Sequence, residues 1–127
     1  MPKEKVTPEI KRHFDAVADL RCCVSESPFT VLHHARGGSM LELPKEFHPG
    51  KGQRPSHWFV LPLSAPFHNG AYGIHGGTGV FDSVEDWEEE LGTQLYFLRW
   101  VSNQLGYNVF EKAGVDQEWL DQKWIMG

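Results

Sequence analysis

The sequence predicts an α+β fold, a small two-stranded core with helices before and after it. Two short runs rich in β-branched and aromatic residues, Pro28–His34 and His57–Leu63, stand in the middle of the chain. Segments with apolar residues at helical spacing flank them on both sides. With 127 residues and 40% hydrophobic content, the chain suits one compact domain over 1–127, its core built on eight Phe and five Trp.

Thr7-Pro8-Glu9 sets a capping hydroxyl, a proline suited to the first helical position and an early acid in sequence. Ile10, Phe14, Val17 and Ala18 follow at helical spacing, so the first helix is expected over about 7–20, with His13 solvated beside the stripe. The first strand, Pro28–His34, ends at Ala35-Arg36-Gly37-Gly38, where glycines permit a sharp turn. Between Ser39 and Ser56 the prolines and glycines predict a long irregular loop, and loops of that length are usually functional. Its Lys45, His48, Lys51 and Arg54 suit either phosphate contact or plain solvation. The second strand, His57–Leu63, tolerates Pro62 near its end. Ser64 as N-cap and Pro66 then start a short helix carrying His68, which Gly70 and Gly73 stop, leaving His75 on a loop. Ser83 caps a helix through Val84, Trp87 and Leu91; Gly92-Thr93 breaks it and restarts it, Leu95 to Leu105 follow at helical spacing, and Asp116 opens a last helix through Trp119, Leu120 and Trp124. These C-terminal helices, over about 83–125, read as scaffold.

The charge of −5 is uneven. Residues 1–80 carry nine Lys/Arg and seven Asp/Glu, a balance of +2, and residues 81–127 carry three and ten, a balance of −7. A polyanion would therefore meet the first part, although the nucleic-acid signal from charge alone is weak. Adjacent Cys22 and Cys23 exclude a disulfide framework, and no apolar run reaches the ~18 residues of a membrane span, so a soluble protein of the reducing cytoplasm is expected.

Six of the seven histidines, His33, His34, His48, His57, His68 and His75, fall between Leu32 and His75. Imidazole titrates near pH ~6.5 and serves as proton acceptor or metal ligand. His33 and His34 on a regular strand point to opposite faces, so they share a site only if the strand twists into the glycines that follow. His48 suits a loop histidine, and His57 suits ring packing as well as chemistry.

Leu32-His33-His34-Ala35, followed by Leu61-Pro62-Leu63 and His68-Asn69, resembles the HNH nucleases of the ββα-metal fold. Within them, Gly52-Gln53-Arg54-Pro55-Ser56-His57-Trp58, Tyr72-Gly73-Ile74-His75-Gly76 and Trp87-Glu88-Glu89-Glu90-Leu91-Gly92-Thr93 are similar to the phage-encoded RecA-dependent nucleases of the recombination-enhancement family, a likeness covering roughly residues 20–105. The resemblance implies a small ββα-metal core over about 28–76 and a metal-dependent DNA endonuclease linked to recombination. Its metal ligands would be His33, His68 and His75, its general base His34, and its cofactor one divalent ion, Mg²⁺ or Mn²⁺, with Zn²⁺ or Ni²⁺ as alternatives. Arg36, Lys51 and Arg54 would contact DNA, and a RecA filament is the further partner that the likeness implies.

The pattern departs from the family in places. Where many members place a second zinc-binding cysteine pair, this chain has Ser64 and Phe67, so no structural zinc is expected and Cys22 and Cys23 are assigned to the core. Phe59 stands where the family has its asparagine, and His57, two residues earlier on the same strand face, is the substitute for orienting the base or touching phosphate. Only Lys3 and Lys5 precede the first helix, where some relatives carry a lysine-rich arm that engages RecA. The alternative is a catalytically inactive nucleic-acid- or protein-binding module on the same fold. A cysteine hydrolase using Cys23 and His34 lacks an oxyanion motif, and no His-Glu-x-x-His marks a metalloprotease.

Overall fold

Thr7 adopts an extended conformation and its hydroxyl accepts from the Ile10 N–H at 3.1 Å, so α1 (Pro8–Ala18) begins with a satisfied donor. The computed structural model describes residues 5–48, 56–70, 72–74, 81 and 83–124. The buried face of α1 is Ile10, His13 and Val17, spaced by three and four, with Phe14 partly buried and Ala18 exposed. His13 is therefore a core residue at 2% exposure and not the solvated one that the apolar stripe suggests. Its Nε2 lies 3.2 Å from the Trp58 carbonyl, which only accepts, so Nε2 carries the proton. Neutral His13 then accepts at Nδ1 from the Tyr107 hydroxyl at 2.6 Å.

β1 (Val31–His34) pairs antiparallel with β2 (Val60–Leu63) in the register Val31↔Leu63 to His34↔Val60. Both strands are shorter than their β-rich runs. Beyond Leu63 the chain turns into α2 (Ala65–His68), which leaves Pro28–Thr30 nothing to pair with. At the other end the Ser56 hydroxyl accepts from Trp58 N–H and the Ser56 carbonyl from Phe59 N–H, so His57 and Trp58 form a turn. His57 thus precedes the strand and does not share a strand face with Phe59.

The loop after β1 is more regular than its composition predicts, with 3₁₀ turns at Gly38–Glu42 and Lys45–Phe47. Gly38 has φ +50°, and a Cβ there would collide with the Glu88 carboxyl group and Val84. α2 starts at Ser64 as predicted, yet the Ser64 hydroxyl makes no capping bond; it meets the Ser25 hydroxyl at 3.0 Å. α3 (Val84–Leu91), capped by Ser83, ends at Gly92, and Thr93 caps α4 (Gln94–Leu105), which closes on left-handed Gly106. α5 (Val109–Ala113) is an element that the apolar pattern did not reveal. Asn108 creates it by accepting from both Phe110 and Glu111 N–H groups, and α6 (Gln117–Trp124) follows.

The described residues thus hold six helices and a two-stranded antiparallel sheet, an α+β arrangement. α1 packs on both strands, α2 on β1 and α4 on β2. Val60, Leu61 and Leu63 have no exposed surface, and each contributes about 1.5–3 kcal/mol through burial. Phe59 extends the same core to Phe110, ring centroids 5.4 Å apart. No helix among the described residues is long and apolar enough to cross a membrane.

Burial lowers the His13 pKa below the usual 6.5, against a smaller opposing effect of the Trp58 carbonyl. The unfolded chain takes up this proton near pH ~6.5 while the folded chain resists it, so stability falls as pH drops below ~6.5 until the lower folded value is passed. The urea midpoint of the wild type is expected to decline between pH 7 and 5 more steeply than that of His13→Gln, and parallel declines would assign the pH dependence to other groups.

Candidate active site at the end of the β-ribbon

Strand geometry decides how the histidine pair is used. Both histidines of the pair lie at the end of β1, and among the described residues each ring meets a further histidine. His33, 3% exposed, meets the His68 ring of α2 edge-on at 5.3 Å between centroids. His34, half-buried, directs Nε2 to Nδ1 of His57 at 3.0 Å, with the rings 5.2 Å apart. Phe14 on α1 stands edge-on to both, at 6.0 Å from His34 and 5.5 Å from His57. The two pairs leave from adjacent residues at one end of the ribbon, whose Cα atoms are ~3.8 Å apart.

The remaining predicted residues divide clearly. Arg36 is exposed just beyond β1. His48 donates from Nε2 to the Leu43 carbonyl at 2.7 Å, the role of a loop histidine. His75, Lys51 and Arg54 lie outside the described residues. Among the described residues no group of three or more His, Cys, Asp or Glu side chains is placed to hold a metal ion. The donor chemistry of His33 and His68 fits two nitrogen ligands of a divalent ion, with room in the assignment for His75.

The adjacent cysteines pack in the core, where the sequence assigned them. Cys22 is 1% exposed and Cys23 partly buried, both as free thiols. The Cys22 sulfur accepts from Val24 and Ser25 N–H at 3.4 and 3.3 Å. Burial pushes this thiol up, but hydrogen bonds with Ser25 and Ser64 outweigh it and leave the pKa lowered to about 7. Burial raises the Cys23 thiol well above its ordinary value, with the Cys22 charge adding to it, which removes the thiolate that a Cys23 nucleophile needs.

Reading helices as scaffold missed a buried polar network at the α3–α4 junction. Gln94, with no exposed surface, accepts at Oε1 from His33 Nε2 at 3.0 Å and from Arg36 N–H at 3.1 Å. The Glu88 carboxyl group, 8% exposed, accepts from Ser39 N–H and Gln94 N–H, both at 2.7 Å, and from the Ser39 hydroxyl. The sequence signal was slight: an acid on the otherwise apolar face of α3, one residue after Trp87.

No family model, curated protein or solved structure matches the chain.

Glu88→Ala would leave several buried donors without their acceptor. It is expected to lower unfolding free energy by about 2–4 kcal/mol in urea titrations, and an unchanged midpoint would show that the network adds nothing to stability.

Proposed function

We propose that this protein is a metal-dependent DNA endonuclease of the HNH, ββα-metal type, hydrolysing phosphodiester bonds, phage-encoded and linked to recombination. The observation that carries the reading is the order β1, long connection, β2, α2, which brings His33 of the strand against His68 of the helix beside the His34–His57 pair. His33, His68 and His75 would hold the cation. A divalent ion, Mg²⁺ or Mn²⁺ in this reading, supplies positive charge for the scissile phosphate and the departing 3′ oxygen.

The chain's own residues supply the proton transfer. His34 takes the proton of the attacking water at Nδ1, which requires its Nε2–H to donate to His57 Nδ1 across the 3.0 Å contact. The same bond then stabilises the protonated ring, and the edges of Phe14 restrict both imidazoles. His57 is therefore a positioning residue. Exposed Arg36, together with Lys51 and Arg54, would hold backbone phosphates, which sets position without reading sequence. A RecA filament would act by coating the DNA.

Initial cleavage rate against metal concentration separates these roles. His34→Ala is expected to bind metal and DNA normally and to cleave ~10²- to 10⁴-fold more slowly at every metal concentration. His33→Ala should regain part of its activity as metal rises. His57→Ala should lose rate, and His57→Gln, which keeps an acceptor, should lose less. Metal rescue of His34→Ala would reverse the assignments of His33 and His34. Unchanged cleavage in both would remove the site from this region.

A further inference from the structure

The hydrogen bonds around Gln94 fix more than stability, because they determine which nitrogen of His33 carries a proton. The Arg36 N–H can only donate, so the Gln94 atom facing it is the oxygen. The Gln94 amide nitrogen faces the Arg36 and Gly37 carbonyls at 3.0 and 3.3 Å, which can only accept. Flipping the amide would set donor against donor and oxygen against two oxygens. With the orientation settled, the contact at 3.0 Å runs from His33 Nε2–H to Gln94 Oε1, and in the neutral ring the lone pair lies on Nδ1.

We infer that Gln94 is a positioning residue that holds His33 as the Nε2–H tautomer, so that Nδ1 is the nitrogen His33 offers to a metal. The inference rests on the endonuclease reading for the metal, and on the hydrogen bonds alone for the tautomer. Glu88 completes the device. Its carboxyl group takes the Gln94 backbone N–H at the first residue of α4 and ties the same point to Ser39 on the loop after β1. The α3–α4 junction thereby clamps the segment leaving β1 at two points: Arg36 and Gly37 through the amide, Ser39 through the carboxyl. Partners of this kind around a ligating histidine typically contribute ~10- to 100-fold in metal affinity.

Nitrogen-15 spectra of the imidazole rings in the full chain test this directly, with Zn²⁺ alone as the diamagnetic probe. The metal-free wild type at pH 7.5 should show His33 as the Nε2–H tautomer, and Zn²⁺ should shift its Nδ1 while Nε2 keeps its proton. Gln94→Met, similar in size but without the acceptor, should show mixed tautomers and bind Zn²⁺ ~10- to 100-fold more weakly by calorimetry. Should that variant fail to fold, the wild-type spectrum still decides. An Nδ1–H tautomer of His33, or metal binding at Nε2, would overturn the inference while leaving the endonuclease reading intact. Zn²⁺ that moves neither nitrogen, in a protein showing the Nε2–H tautomer, would overturn the ligand assignment of His33 and count against the endonuclease reading, leaving the Gln94 lock in place.

Discussion

The antiparallel pairing of Val31–His34 with Val60–Leu63 is the constraint on which the other parts depend. Two four-residue strands joined by a long connection are unstable alone, since closing the loop costs chain entropy that so short a ladder cannot offset. The offset comes from apolar burial. Val60, Leu61 and Leu63 lose all their exposed surface beneath helices drawn from both ends of the chain, α1 on both strands and α4 on β2. The histidines therefore sit on an element whose position is set by the whole core. Their neighbours follow from their place in the register, His33 opposite Leu61 and His34 opposite Val60, on a ribbon that α1, α2 and α4 all pack against.

The same arrangement makes the polar groups interdependent. His13 in α1 donates to the Trp58 carbonyl, beside the His57 that meets His34. Glu88 and Gln94 reach the other histidine, His33, through the turn after β1. The His33–His68 pair is thus backed by a buried amide from a helix read as scaffold, and the His34–His57 pair lies next in sequence to the carbonyl that buried His13 holds. Buried polar groups of this kind are costly when unpaired, so their presence at both ends of the histidine pairs supports a preorganised site in the proposed reading.

Much of the architecture was legible wherever one residue type has one local use. Thr7-Pro8, Ser83 and Thr93 announced the starts of α1, α3 and α4, and each hydroxyl makes its capping bond. Ser64 announced a start too, but Ser25 competes for its hydroxyl, and that competition is tertiary. The second strand begins late because Ser56 captures Trp58, a local alternative to pairing that strand propensity does not express. His13 was legible in principle, lying three residues after Ile10 and four before Val17, yet its polarity set it outside the stripe. Gln94 was not legible, since a saturated buried amide leaves no periodicity and shows itself only when Arg36, Gly37 and His33 arrive from elsewhere in the chain. The likeness in the histidine series identified the side chains to watch; the pairing of His33 with His68 and of His34 with His57 came from the fold.

In the proposed reading, the end of this ribbon hydrolyses phosphodiester bonds with a divalent cation. The direct measurement is cleavage of supercoiled plasmid and of single- and double-stranded oligonucleotides by the purified protein across Mg²⁺, Mn²⁺, Ni²⁺ and Zn²⁺, with and without RecA, against the same reactions in chelator. The expected result is nicking or linearisation that requires a divalent ion and disappears in chelator. Folded protein that cleaves none of these substrates under any of these ions, or that cleaves equally well in chelator, would contradict it.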